Sequence, residues 1–328
     1  MKVRLLKQRV TTVTGDGREI QLNNVSDEDL RYYIDKIHGD FYMRLLVREK
    51  IFLFGDDGIP TVKYTLTDGR YHHNPATVCI WGLDNLNKYI KHGKHENLAY
   101  VRNCAKWLSN NLEEASYGGF VWRYHMDWLH NLKSGFISGM AQGLAISLLL
   151  RSAALFKKHE YLELAEEAFN PMIVPVENGG VAIVKDDFYW IEEAPSKSPT
   201  LVLNGFIYAL FGVYDLYRFT GKEAYKKWFD RGIRTLITML PRYDLGIWSR
   251  YDLGLKVVRS KTNVLLEKVL SPSEMHNIAT PSYNRLHVEQ LKKLYEITGL
   301  AQFRYYSRRW SINPLKYTQY LTYLLATL

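Results

Sequence analysis

The chain has 328 residues, 47% of them hydrophobic, and carries 43 Lys and Arg against 34 Asp and Glu, a formal charge of +9. Such a length buries one large core or two modest ones in an ordinary globular composition, and the basic balance favours an anionic partner: nucleic acid, an anionic membrane surface or an acidic polysaccharide. No dense Lys/Arg run, nucleic-acid module signature, metal-ligand spacing or run of about 18 apolar residues is apparent, which argues against nucleic acid, a metal or cofactor, and a transmembrane segment.

Residues 1–70 alternate short β-prone runs with the turn signals Gly15-Asp16-Gly17, Asp56-Asp57-Gly58 and Thr67-Asp68-Gly69, around one helix expected near 28–37. They read as a small β-rich N-terminal module. Residues 1–9 lack the apolar run of a secretory signal, so the sequence as written reads as soluble and cytoplasmic. From residue 71 onward the second unit, 71–328, is helical. Its apolar period predicts helices over 76–91, 97–111, 138–156, 160–171, 201–218, 223–239, 284–297 and 300–311, about four hairpins, then an apolar C-terminal segment. The two cysteines, Cys79 and Cys104, fall inside helical patterns and read as buried thiols.

The hairpins repeat. Lys94-His95-Glu96 recurs as Lys158-His159-Glu160, Gly93-Lys94 as Gly221-Lys222, and Thr220-Gly221 as Thr298-Gly299, each at the turn inside a pair. Thr220 with Glu223 fits a capping box. Such a period suggests an α-solenoid or a closed α/α toroid. The links between pairs are long and rich in Gly and aromatics: Tyr117-Gly118-Gly119-Phe120-Val121-Trp122, Gly179-Gly180-Val181-Ala182-Ile183 and Leu245-Gly246-Ile247-Trp248-Ser249-Arg250-Tyr251. In a stack of hairpins these links emerge at one end, where their side chains can converge on a cleft.

Three features stand out at that end. Glu192 and Glu193 lie among aromatics before the helix starting near Leu201; in isolation they read as a solvated acidic pair. The segment Trp248-Ser249-Arg250-Tyr251-Asp252-Leu253 reads as a turn with a packed tyrosine. Tyr283, His287 and Gln290 share one helix face, a stripe that is often merely exposed. Ser138 with Gln142, and Asn204 with Tyr208, add polar first turns on two other helices. Their coincidence with the aromatic links points to a cleft.

At these residues the chain resembles the D-glucuronyl C5-epimerases. Ser138-Gly139-Met140-Ala141-Gln142-Gly143 resembles their Met-Ala-Gln-Gly helix, and Trp190-Ile191-Glu192-Glu193-Ala194-Pro195 their Glu-Glu-Tyr-Pro segment. Leu203-Asn204-Gly205-Phe206-Ile207-Tyr208, Tyr251-Asp252-Leu253, and Tyr283 with His287, Gln290 and Leu291 follow in order, over roughly 71–310. The resemblance implies a mainly α catalytic domain, an (α/α) toroid or incomplete barrel of helical hairpins. It implies conversion of D-glucuronic to L-iduronic acid residues in a heparosan- or heparan-like polymer. It puts catalytic roles on Glu193, Tyr251 and Tyr283, with Gln142, Asn204, Tyr208, Arg250, Arg285, His287, Gln290, Trp122 and Arg123 as substrate contacts. Departures from relatives of the animal type are Ala194 for a Tyr, Gly254 for an Arg and Asn284 for a His; the large β-sandwich of those relatives is reduced to about seventy residues. The expected partner is the acidic polysaccharide, and the sequence permits a homodimer.

Inverting C5 of a uronate removes a proton α to a carboxylate and returns one to the opposite face, so two proton-handling groups must flank the ring. A phenol is a poor base at neutral pH unless a cation favours its anion; Arg250 and Arg285, adjacent in sequence to the two tyrosines, are the expected cations. Arg123, Lys133, His287 and Gln290 are expected to stabilise the enolate. A polyuronate lyase shares the first step, a noncatalytic acidic-glycan-binding toroid would need only the aromatic and basic cleft, and a glycoside hydrolase would need carboxylates flanking the bond, which the neighbours Glu192 and Glu193 are badly placed to do.

Overall fold

Polar starts and glycine stops divide the chain into helices. Asn74 accepts a hydrogen bond from the Thr77 amide and Pro75 presets the first turn of α1 (Pro75–His92), which ends on Gly93 in the left-handed conformation. Helix α2 (His95–Asn110) returns against it. The same alternation gives α3 (Gly139–Phe156) with α4 (His159–Glu167), α5 (Leu203–Thr220) with α6 (Glu223–Tyr243), and α7 (Pro281–Thr298) with α8 (Ala301–Arg309). Ser138 and Thr280 cap α3 and α7, and Gly221 and Gly299 end α5 and α7. The expected capping box at Thr220 does not form. Its hydroxyl donates back to the Leu216 carbonyl (2.7 Å), and Lys222, without a side-chain cap, starts α6.

The structure, a computed structural model, describes residues 11–13, 19–21, 52–64, 67–128, 132–254 and 278–311. Within them the first helices of the pairs stand side by side in the order α1, α3, α5, α7, while the second helices pack outside, an incomplete (α/α) toroid. Helices α3 and α5 touch backbone to backbone. A Cβ on Gly143 would lie 2.5 Å from Ala209 Cα, and one on Gly212 would enter the Gly143 backbone. The buried pair Arg151–Asp215 (2.6 Å) joins the same two helices. Helix α3 is long and apolar enough to cross a membrane, but 83% of it is buried inside the protein, which accounts for its apolarity.

Ahead of the helices, β1 (Thr11–Val13) pairs antiparallel with β2 (Glu19–Gln21), and β3 (Phe52–Phe54), β4 (Pro60–Lys63) and β5 (Tyr71–His72) form a three-stranded meander. Gly58 and Gly69 turn its two connections, as their motifs predict. Ile59 and Tyr64 are buried in the same core as the helices. The turn at Gly15-Asp16-Gly17, the helix over 28–37 and the segment after 311 lie outside the described residues. The links carry more order than the sequence suggested: β6 (Glu113–Glu114) with β7 (Phe120–Val121), β8 (Ala182–Lys185) with β9 (Phe188–Ile191), and a bridge from Asp244 to Ser249. Cys79 and Cys104 are free and buried.

Candidate active site

Backbone hydrogen bonds bring the links to the end where the first helices begin. The Gly139 amide donates to the Glu192 carbonyl (2.9 Å), tying the exit of β9 to the start of α3. The Leu203 amide donates to the Tyr251 carbonyl (3.0 Å) and the Leu253 amide to that of Thr200 (3.2 Å), laying the third link along the start of α5. The Ala279 amide donates to the Ser249 carbonyl (3.0 Å), which draws in the start of α7. Glu193, Tyr208, Tyr251 and Tyr283, remote in sequence, thereby become neighbours.

The two adjacent acids divide their work. Glu192 is buried: its Oε2 accepts from the Thr200 amide (2.8 Å) and hydroxyl, and its Oε1 from the Leu201 amide (2.9 Å). These bonds hold the approach to α5, where Leu201 is in the left-handed region (φ 52°). Glu193 faces the other way. The residue keeps partial exposure, yet its Oε2 is shut off from solvent without a hydrogen-bond partner. It lies over the first turn of α5, where a Cβ on Gly205 would fall 2.6 Å from its own Cβ and collide with its carboxylate. Burial, then the charges of Glu192 and Asp252, push its pKa up to about 8.

The Tyr251 and Tyr283 rings stand 4.6 Å apart at 56°, and their hydroxyls share a hydrogen bond. A sugar cannot pass between rings this close, so the pair forms one wall of the site. Burial raises both phenols, and the charge of Glu193 raises them further. Tyr208, buried on α5, is raised by burial, then by Tyr283 and Glu193. Of the expected phenolate-favouring cations, Arg250 is partly buried in the third link and Arg285 is exposed; the shift of Tyr283 comes from burial, Glu193 and Tyr251.

Behind the tyrosines lies a relay visible only in three dimensions. Asn284 donates its Nδ2 to the Trp310 carbonyl (3.0 Å), so its Oδ1 faces Ser249 and accepts from that residue's amide (3.0 Å) and hydroxyl (2.8 Å). With its only proton spent on Asn284, the Ser249 Oγ accepts from His287 Nδ1–H (2.8 Å). Burial pushes the His287 pKa down to about 3, so the ring is a neutral imidazole and its Nε2 a bare acceptor. Gln290 donates to the Asn204 carbonyl (3.0 Å). His287 Nε2, Gln290 Oε1, Asn204 Oδ1 and Glu193 Oε2 are all buried acceptors without a donor among the described residues.

Other residues singled out from the sequence are placed differently. Gln142 gives its Nε2 to the Phe120 (2.8 Å) and Ala168 (3.1 Å) carbonyls and accepts from the Trp122 amide (3.3 Å); it locks β7 against α3 and leaves nothing for a ligand. Trp122 is fully buried, its Nε1 on the Leu108 carbonyl (2.9 Å), so it offers no stacking face. Arg123 pairs with Glu113 (2.9 Å) and Lys133, exposed, with Asp127 (2.7 Å). Of the departures, Ala194 and Gly254 are buried and Asn284 organises the Ser249 relay. Two residues were missed. Asp252 raises both glutamates, and Tyr124, stacked on Phe136 at 4.6 Å, lies within electrostatic reach of Glu193. Tyr124 follows Trp122 by two positions and belongs to the same aromatic link. Among the described residues no cluster of His, Cys, Asp or Glu could hold a metal ion.

A family model described as the D-glucuronyl C5-epimerase C-terminus matches residues 113–312, the stretch that holds Glu193, Tyr251 and Tyr283. The chain belongs to that family. It is 32% identical over 218 residues to the D-glucuronyl C5-epimerase of Caenorhabditis elegans, covering 61% of this chain and 32% of that protein. It is 28% identical over 228 residues to an uncharacterized protein of Methanocaldococcus jannaschii, covering 68% and 67% of the two chains. The match thus spans about a third of the nematode relative. Among solved structures it is similar to a family 76 mannosidase from Bacteroides thetaiotaomicron (TM-score 0.44, 15% identity, 76% of this chain and 60% of that one). It is also similar to an unsaturated glucuronyl hydrolase from Bacillus sp. GL1 (TM-score 0.46, 13% identity, 72% and 60%). Similarity at that level says nothing about activity.

Proposed function

We propose that this chain inverts C5 of D-glucuronic acid residues within a heparosan-like polysaccharide, with Glu193 and the Tyr251–Tyr283 pair moving the protons. The observation that carries the proposal is the raised Glu193 carboxyl beside the two phenols. A carboxylate with a pKa near 8 is a stronger base than an ordinary one and is ionised in about one molecule in ten at pH 7, so it can take or give a proton near neutrality. Because the tyrosines stand together, Glu193 serves one face of the sugar and the phenol pair the other. In the forward direction the C5–H bond breaks, its proton passes to Glu193, and a phenol O–H protonates the enolate carbon from the opposite face. Proton exchange between Glu193 and the phenolate through solvent restores the start. The neutral phenols also supply O–H donors to the substrate carboxylate as its charge grows. The buried acceptors His287 Nε2, Gln290 Oε1 and Asn204 Oδ1 want donors, and the hydroxyls of a saccharide are donors.

Incubation with heparosan in heavy water tests the reading. Solvent deuterium appearing at C5, with iduronate formed and no unsaturated ends, is the expected result. Ultraviolet absorbance from unsaturated uronate would make the protein a lyase, and binding without exchange would make it a glycan-binding toroid.

A further inference from the structure

Away from the cleft, a groove of about 690 Å³ opens on the outer side of the first two hairpins, between one face of α2 (Arg102, Lys106, Ser109, Asn110) and the turn from α3 into α4 (Phe156, Lys157, Lys158). Four cations line it against one acid, Glu160, and that acid is paired with Lys158 at 2.9 Å. Arg102, Lys106 and Lys157 are exposed and, among the described residues, have no ion-pair partner. Arg102 instead lies over the Phe156 ring, 4.9 Å from its centre.

A second observation concerns the backbone. The turns after α1, α5 and α7 place Gly93, Gly221 and Gly299 in the left-handed region, where a side chain is disfavoured; after α3 that position is Lys157, at φ 53° and ψ 40°. One turn of four therefore keeps a strained lysine where glycine would be easier, and that lysine lines the groove.

We propose that this groove is a second, noncatalytic binding site for the acidic polysaccharide, with Arg102, Lys106, Lys157 and Lys158 meeting its carboxylates or sulfates. The proposal rests on the polysaccharide reading given above. Helix α3 runs from the cleft, where Gly139 meets Glu192, to the groove at Phe156; its 18 residues put the two sites roughly 27 Å apart. A polymer held at one site raises its own effective concentration at the other. Four cations against a single, already paired acid suit a polyanion.

The test uses the full chain, fluorescein-labelled heparosan as the probe, and two variants, Lys157→Gly and Arg102→Ser/Lys106→Ser/Lys157→Gly. Lys157→Gly should raise Tm by about 1–3 °C, since it relieves the left-handed residue, while weakening heparosan binding roughly two- to fivefold. A residue with only a structural role would not move stability and affinity in opposite directions. The triple variant should bind roughly tenfold or more weakly, and the difference from wild type should shrink as salt rises. Heparosan binding unchanged in the triple variant overturns the proposal. So does tighter binding of single-stranded DNA through the same three residues, or a change in sedimentation showing the groove to be a contact between two copies. C5 deuterium incorporation by the wild-type protein is read in parallel. Incorporation with unchanged binding in the triple variant removes the groove alone, whereas weakened binding without incorporation in wild type removes the epimerase reading alone.

Discussion

Replacing Glu193 by Gln separates its charge from its shape, because glutamine mimics the protonated acid. The folded carboxyl titrates at about 8 against an ordinary value of 4.5. The folded state therefore keeps a proton that the unfolded chain releases, and stability falls as pH rises between those values. The contribution is intact below about pH 4.5, is lost progressively through the folded pKa and is flat above it. At 1.36 kcal/mol per tenfold change the ceiling is about 5 kcal/mol, and the partial exposure of the residue brings the expected loss to about half of that. Glu193→Gln has no such loss. The Tm of the variant minus that of wild type should thus grow between pH 5 and pH 9 by about 3–4 °C, read by thermal scans at each pH. Titrating groups outside the electrostatic reach of Glu193 are common to both proteins and cancel, and the three tyrosines it raises titrate above this range. The variant should also lose C5 exchange at every pH. Parallel Tm curves would refute the buried, raised carboxyl and with it the choice of Glu193 as the near-neutral proton carrier.

Tyr251→Phe and Tyr283→Phe each remove one oxygen and keep the ring, so both should fold with Tm near wild type while deuterium exchange at C5 falls about a hundredfold or more; near-normal exchange in both would reduce the pair to packing. Gly205→Ala places a methyl against the Glu193 carboxylate, and should depress exchange far more than it lowers Tm, because Glu193 must turn away. His287 should appear by nitrogen NMR as the neutral Nδ1–H tautomer from pH 8 down to pH 5, with no imidazolium, since burial holds its pKa near 3. Its contribution to stability is present above the ordinary value of 6.5 and is lost as pH falls toward 3.

Much of the helical frame was legible because helix signals are local. The hairpins predicted over 76–111, 138–171, 201–239 and 284–311 all occur, since an apolar period, a capping Asn, Ser or Thr and a stopping Gly act within a few residues. Thr220 misled for the same local reason. Its hydroxyl found the carbonyl four residues behind it before it could cap the next helix. The short hairpins in the links were missed, because two-residue strands such as Glu113–Glu114 and Phe120–Val121 leave too brief an alternation to read.

The sequence by itself determined the order of hairpins, the Gly and aromatic links between them and the family, because each is a pattern along the chain. Which way each polar side chain faces was decided only by tertiary contact. Glu192 and Glu193 look alike in sequence, yet the Thr200 and Leu201 amides claim one and the turn at Gly205 receives the other. Gln142 and Trp122 looked ready for substrate, but the Phe120, Ala168 and Leu108 carbonyls consume them. Ser249, 35 residues from Asn284 and 38 from His287 along the chain, links the two and sets the His287 tautomer. A buried polar group must find its partner wherever the packed chain supplies one, and that search is long-range, so the assignment of bonds, and with it the shift of each pKa, belongs to the fold.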